Sequence, residues 1–238
     1  MKDILIGIVY RTDEFKLIPF EQENINYEIF SPKNETDYSK YDGFYLPGGD
    51  GWYSEDIKLI KYAKENNIPI LGVCLGMQEM SAFLLDEEKD ITKKILNHNG
   101  GEHLVSIKRN SFLYDIIKKQ EIFVNSRHND YIPKLSSLYV SARSLDNCIE
   151  AIELKNHPFF LGLQWHPESL YETDESSRRI FNTFFTKCFS QKIHNYIVFY
   201  DRFKKIKFLG GPLMEKDNLN NNSKPTSFIS FITLLISS

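Results

Sequence analysis

Short aliphatic runs, typical of buried strands, alternate along this chain with stretches whose apolar residues recur at helical spacing. The pattern predicts strands at residues 4–9, 26–30, 43–46, 69–73, 104–108, 137–142, 148–153 and 159–165, with a further one starting at 122. It predicts helices from Ser54, as N-cap, to about residue 66, and at 75–85, 111–117 and 174–189. Strand and helix alternate between residues 43 and 85, which favours an α/β fold with three layers: a mostly parallel central sheet flanked by helices.

The segments between these elements are polar. Residues 10–25 are compatible with a helix or a loop, and residues 97–103 read as a loop. The character of the sequence changes near residue 190, so we expect a catalytic domain at 1–190 and an extension of unknown role at 191–238. Within the extension, residues 193–199 fit either a strand or a helix. Residues 217–227 are of low complexity, which is typical of a linker.

Composition narrows the classes of function. The 238 residues are 42% apolar and 26% charged with a net charge of −3, and no basic stripe suggests nucleic acid as a partner. Three widely spaced cysteines argue against a disulfide framework and suit the cytoplasm. The first residues do not resemble a signal peptide, and no apolar run, including residues 228–236, is long enough to span a bilayer.

Cys74 stands at the best candidate site. An apolar run ends in Gly72-Val73-Cys74-Leu75-Gly76, and a helical pattern follows at once. This is the cysteine form of the nucleophile elbow, in which a strand turns sharply into a helix and the helix N-terminus stabilises a thiolate. The alternative is a buried cysteine that only fills the core.

Two other predicted strands also end in chemically suggestive residues. Pro47-Gly48-Gly49 follows the third strand, where glycines free backbone amides for an oxyanion hole, although such a pair is often only a turn. His166-Pro167-Glu168 follows the last strand. A thiol nucleophile needs a histidine to move its proton, and the histidine needs a carboxylate to orient it. The ends of parallel strands meet at one edge of a sheet, which favours joining these motifs in one site.

His98 and His103 raise the question of a metal. Their spacing matches no common zinc motif, and no cysteine is near them in the sequence. We therefore expect no metal and no cofactor.

Together these motifs resemble the class I glutamine amidotransferase family. The resemblance rests on Leu46-Pro47-Gly48-Gly49, Gly72-Val73-Cys74-Leu75-Gly76-Met77-Gln78 and Gly162-Leu163-Gln164-Trp165-His166-Pro167-Glu168, and it extends to about residue 189. It implies a flavodoxin-like fold in which Cys74 attacks a γ-glutamyl carbonyl, His166 moves the proton and Glu168 orients His166. It also implies oxyanion contacts and substrate contacts, for which the matching residues are Gly48, Gly49, Leu75, Gln78, Asn125, Ser126 and His128.

The branch of the family sets the expected substrate. Residues 123–128 and 149–153 are similar to the γ-glutamyl-γ-aminobutyrate hydrolase branch, which implies a free-standing hydrolase of γ-glutamyl amides. Asn129 and Asp130 replace that branch's usual histidine and glutamine, and the region before Pro47 is short, as in ammonia-donating glutaminases. A glutaminase subunit with a separate synthase partner is therefore the alternative. A third hypothesis, an inactive binding module, fits poorly with the intact Cys74, His166 and Glu168. The sequence leaves the leaving amine and the oligomeric state open.

Overall fold

The computed structural model describes residues 4–11 and 16–208, with side chains described as far as residue 199. The predicted low-complexity segment at 217–227 and the apolar run at 228–236 lie outside the described residues. The chain divides into two compact units, and the first ends at Tyr196. Within the second, the structure describes only helix, up to residue 208.

The elements alternate largely as the sequence pattern predicts. The strands are β1 (Leu5–Val9), β2 (Asn26–Phe30), β3 (Gly43–Leu46), β4 (Ile70–Val73), β5 (Lys93–Lys94), β6 (Asn99–Ile107), β7 (Glu121–Arg127), β8 (Asp130–Tyr131), β9 (Val140–Ser144), β10 (Ile149–Glu153) and β11 (Phe160–Leu163). The helices are α1 (Ile18–Gln22), α2 (Ser54–Glu65), α3 (Leu75–Leu84), α4 (Phe112–Ile117) and α5 (Glu175–Phe208), with short 3-10 helices at Tyr38–Lys40 and Pro167–Ser169.

The main sheet has nine strands in the order β2-β1-β3-β4-β11-β10-β9-β6-β7, while β5 and β8 form a separate pair. Strands β2, β1, β3, β4 and β11 are mutually parallel, and the remaining pairings are antiparallel. Because antiparallel neighbours alternate in direction, β9 and β7 again point the same way as β4, and only β10 and β6 are reversed. This mixed sheet of mostly parallel strands confirms the predicted fold class. It brings the carboxyl ends of β3, β4, β7 and β11 to one edge.

Hydrophobic layers cover both faces of the sheet. On β3, Tyr45 belongs to one buried cluster while its neighbours Phe44 and Leu46 belong to the other, as the two-residue period of a strand requires. The first cluster includes Phe181 and Phe185 of α5, and the second includes apolar residues of α2 and α3. The amphipathic helices thus complete the three predicted layers.

Three sequence predictions need correction. The loop predicted at 97–103 is wrong from Asn99 onward, because β6 begins there and pairs with β7 around a register shift between Asn99 and Glu102. Ser54 is the first residue of α2 instead of its cap; Tyr53 holds the cap position. The strand predicted at 137–142 begins only at Val140.

The last helix is longer than predicted. Helix α5 ends at Phe208 instead of residue 189, so the open choice at residues 193–199 is settled as helix. Among the described residues, no helix combines the length and the apolar character needed to cross a membrane.

Candidate active site

Cys74 occupies a strained turn between β4 and α3. Its backbone has φ 51° and ψ −105°, in the left-handed region that non-glycine residues rarely adopt. The turn is held because the Cys74 amide donates to the carbonyl of Leu163 at 2.7 Å and the Cys74 carbonyl accepts from Gln78 at 3.1 Å. A side chain at Gly76 would overlap the backbone of Leu46, so only glycine lets α3 start this close to β3. The local structure is thus a nucleophile elbow with Cys74 at its apex.

His166 lies beside Cys74, at the end of the neighbouring strand β11. Its ring faces the same point as Cβ of Cys74, because a Cβ built at Gly48 would lie close to both, and its Nδ1 lies 2.6 Å from Oε1 of Glu168. Glu168 is 6% exposed, and it belongs to the 3-10 turn that follows His166. His166 is therefore paired with Glu168 and lies next to Cys74.

The environment of His166 favours a protonated ring. Burial by itself lowers the pKa of His166, but the hydrogen bonds and the charges of Cys74 and Glu168 outweigh it and raise that pKa to about 10. An imidazolium beside the sulfur stabilises a thiolate, which is the nucleophilic form of cysteine.

The glycine loop after β3 closes one side of this group. A Cβ at Gly48 would lie 2.6 Å from Cε1 of His166 and 3.2 Å from Cβ of Cys74. Gly49 instead faces the Arg11 side chain, because a Cβ built at Gly49 would lie 3.1 Å from Cβ of Arg11. Leu75 is the first residue of α3, where backbone amides have no partner within the helix. Gly48 and Leu75 are thus the glycine-loop and helix residues that flank Cys74.

Asn125 acts on the backbone of His166. Its Nδ2 donates to the His166 carbonyl at 2.9 Å, and its Oδ1 accepts from the His166 amide at 2.8 Å. The sequence resemblance had assigned Asn125 to the substrate through its backbone. The described contacts of its side chain instead fix the segment that carries the histidine. This is possible because β7 and β11 end at the same edge of the sheet.

The side chains of the other predicted binding residues make hydrogen bonds within the protein. Gln78 is 5% exposed, and its Nε2 donates to the Asp130 carbonyl at 3.2 Å and to Oε1 of Gln164 at 3.3 Å. Ser126 donates its hydroxyl to the His98 carbonyl at 2.5 Å. The ring of His128 contacts the Asp130 carbonyl through Nδ1 at 3.0 Å and faces His98. The described side-chain hydrogen bonds of Ser126 and His128 are thus with residues 98 and 130.

A buried ion cluster that the sequence did not reveal supports the glycine loop. Arg11 forms ion pairs with Asp56 of α2 and Glu79 of α3, and all three side chains are almost completely buried. Glu79 also accepts from the Tyr53 amide at 3.3 Å. Burial raises the pKa of the Asp56 and Glu79 carboxyls, although the Arg11 guanidinium by itself would lower it. The cluster ties the loop that contains Gly49 to the helix that begins after Cys74. Sequence order gave no signal for it, because its members are distant along the chain.

Known proteins share both the sequence and the fold. A sequence model of the family described as Peptidase C26 matches residues 52–168. Gamma-glutamyl-gamma-aminobutyrate hydrolase of Escherichia coli O157:H7 is 30% identical over 184 residues, covering 63% of this chain and 72% of that protein. The chain belongs to the peptidase C26 family. This family of class I glutamine amidotransferase-like proteins is the one that the sequence motifs resemble, so that prediction is confirmed.

Other members of the family match over a part of their length. CTP synthase of Methanosphaera stadtmanae is 35% identical over 164 residues, which cover 54% of this chain and 31% of that protein. The chain thus spans about a third of the CTP synthases that it matches. Among solved structures, a putative GMP synthase subunit from Thermoplasma acidophilum superposes with a TM-score of 0.63 at 23% identity, covering 82% of this chain and all of that one. The glutaminase domain of Trypanosoma brucei CTPS also gives 0.63, at 20% identity, with 79% of this chain and 94% of that one covered. These two likenesses concern the fold.

Proposed function

We propose that this chain is a cysteine-dependent hydrolase of γ-glutamyl amide bonds. The observation that carries the proposal is the strained Cys74 beside His166, whose Nδ1 lies 2.6 Å from Glu168. The relatedness to gamma-glutamyl-gamma-aminobutyrate hydrolase over 72% of that protein supports γ-glutamyl amides as the substrate class. No step needs a cofactor.

The reaction proceeds in two halves. The Cys74 sulfur attacks the γ-carbonyl carbon, and a tetrahedral oxyanion forms. His166 then gives its proton to the leaving nitrogen, the C–N bond breaks, and a glutamyl thioester and a free amine or ammonia result. A water molecule next attacks the thioester carbon while His166 accepts its proton. Collapse releases glutamate and regenerates the thiolate, and Glu168 holds the imidazole in place throughout.

The neighbouring backbone supports stabilisation of the oxyanion. The Leu75 amide and an amide of the glycine loop are the proposed donors, and Gly48 is better placed than Gly49 because it borders both Cys74 and His166. Gln78 begins the second turn of α3, from where we propose that it helps to hold the amino-acid end of the substrate. Backbone groups of Asn125 and Ser126 are proposed for the same end. His128 supports them only indirectly, through the Asp130 carbonyl that it shares with Gln78.

A glutaminase that passes ammonia to a separate synthase is the second candidate. It is favoured by the CTP synthase relatives, which reach 36% identity but extend well beyond the matched region. We further propose that residues 1–190 form the catalytic domain, that 191–238 are an extension of it, and that the protein works in the cytoplasm, where its three free, buried thiols stay reduced.

The test is glutamate release by the purified full-length chain. L-glutamine and a panel of γ-glutamyl amines are offered separately, with Cys74→Ala and His166→Ala as inactive references and Cys148→Ala as the matched cysteine control. Rapid release from a γ-glutamyl amine, lost only in the first two variants, supports the hydrolase. Slow release from every substrate, with Cys74 still alkylated rapidly, favours the glutaminase. Full activity in Cys74→Ala would refute both.

A further inference from the structure

Three histidines lie around the buried carboxylate of Glu150. We call His98, His103, His128 and Glu150 the histidine cluster. His98 precedes β6, His103 lies on β6, His128 follows β7, and Glu150 lies on β10 with no exposed surface. The ring of His98 lies 4.9 Å, centroid to centroid, from each of the other two rings. None of these side chains takes part in the bond-making steps proposed at Cys74, and His128 is tied to that site only through the Asp130 carbonyl.

Donor atoms of His98, His103 and Glu150 all lie within 4.8 Å of one another, close enough to share one metal ion, and the ring of His128 borders that group. Oε1 of Glu150 lies 3.2 Å from Nε2 of His103 and 3.8 Å from both Nδ1 of His98 and Nε2 of His128. The last two nitrogens are 3.3 Å apart. Ligand atoms about 2.1 Å from a tetrahedral Zn²⁺ are separated by about 3.4 Å. Two of the quoted separations, 3.2 and 3.3 Å, are slightly shorter than that value, and the two of 3.8 Å are slightly longer.

Oxygen acceptors on the outer side let the inner nitrogens of His98 and His128, which lie within hydrogen-bond distance of each other, offer lone pairs to a cation. Nε2 of His98 lies 2.7 Å from Oδ2 of Asp146, and Nδ1 of His128 lies 3.0 Å from the Asp130 carbonyl. A neutral imidazole carries one N–H, and oxygen acceptors on the outer side place it there. Each inner nitrogen then presents a lone pair toward Glu150. Carboxylate and carbonyl partners of this kind orient the histidine ligands of metal sites.

Glu150 has no compensating hydrogen bond. Within the described part of the chain, neither of its oxygens has a hydrogen-bond partner, and Nε2 of His103 approaches it without hydrogen-bond geometry. A buried carboxylate without hydrogen bonds is strongly destabilising unless a cation neutralises it. A single cation held by His98, His103 and Glu150 would satisfy Glu150 and His103 together.

We propose that the histidine cluster binds a divalent transition-metal ion, for which Zn²⁺ is the best match. Two imidazoles and a carboxylate suit Zn²⁺, whereas Mg²⁺ and Ca²⁺ prefer oxygen ligands. The ion has a supporting role. It fixes His98, whose carbonyl accepts from the His128 amide at 3.0 Å and from the Ser126 hydroxyl at 2.5 Å. These contacts hold residues 125–130, which carry the Asn125 side chain bonded to His166 and the Asp130 carbonyl that accepts from Gln78.

A cavity lies next to Asp146, the outer partner of His98. The side chain of Asp146 is 54% exposed, and it lines a cavity of about 570 Å³ together with Leu96, Arg143 and Cys148. Asp146 thus joins His98 to a surface that solvent reaches.

The experiment measures metal binding itself and not catalysis. A negative result would therefore count against the metal site and leave the proposed hydrolase function untouched. The full-length Cys74→Ala protein is used, because Cys74 and His166 could themselves capture zinc. After treatment with a chelator, Zn²⁺ is titrated in competition with a chromophoric chelator, and Co²⁺ is added to record its visible absorption. We expect one equivalent of tight binding and a Co²⁺ spectrum that indicates nitrogen and oxygen ligands.

Matched substitutions locate the ion. His103→Gln, at a side chain that is 21% exposed, should weaken binding at least 100-fold, and Asp146→Asn about 10- to 100-fold. His194→Gln, at an exposed position on α5, is the histidine control and should bind as before. Circular dichroism checks that each variant is folded. If His103→Gln does not fold, the comparison rests on Asp146→Asn. Absence of stoichiometric binding, or binding unchanged in the folded variants, would overturn the proposal.

Discussion

Replacing Asn125 by alanine tests whether this side chain positions His166 or binds the substrate. Asn125 makes hydrogen bonds of 2.9 and 2.8 Å to the carbonyl and the amide of His166. Each bond contributes about 1 kcal/mol net, and a buried polar group left without its partner costs about 1 to 3 kcal/mol. We therefore expect Asn125→Ala to lower the free energy of unfolding by about 2 to 4 kcal/mol. A shift of about 1 Å in the imidazole would lower kcat about 100-fold.

The deciding assay needs no substrate. Cys74 alkylation by iodoacetamide depends on the imidazolium that stabilises its thiolate, so a displaced His166 should slow labelling of Cys74 in Asn125→Ala. Denaturant unfolding and steady-state kinetics complete the comparison, with wild type and His166→Ala as the limits. Unchanged stability, unchanged alkylation and a raised KM alone would refute the positioning role and support direct substrate binding.

Three further predictions concern the reacting group. Gly48→Ala should lower kcat at least 100-fold with little change in thermal stability, because its Cβ would stand 2.6 Å from Cε1 of His166; full activity would show that the loop can move away. Glu168→Gln should lower kcat about 100- to 10,000-fold, less than Cys74→Ala, since an orienting group contributes less than the nucleophile; an equal or greater loss would count against these roles. Burial lowers the pKa of His166, but Cys74 and Glu168 raise it by more. His166 should therefore stay protonated at neutral pH and lose its proton near pH 10. The NMR signal that disappears in His166→Gln reports this pKa, and Cys74→Ala should lower it, since one of the partners that raise it is gone; a midpoint near 6.5 in wild type would contradict the assignment.

Features that depend on neighbouring residues could be read from the sequence. The elbow at Cys74 follows from an apolar strand, small flanking residues and a helical pattern, all within about ten positions. The alternation of strands and helices gave the fold class in the same way, because the periods of burial are local properties of the backbone. Glu168 could be assigned to His166 because it lies only two positions further along the chain.

The tertiary structure alone decided which distant residues meet. Asn125 reaches His166 because β7 and β11 end at the same edge of the sheet, although β10, β9 and β6 lie between them in the sheet order. The histidines at 98 and 103 match no zinc motif, yet the pairing of β6 with β7 and β9, and of β9 with β10, brings them to Glu150. Burial patterns along a strand fix which face a side chain takes, whereas strand order and register, which depend on the whole sheet, fix its partners.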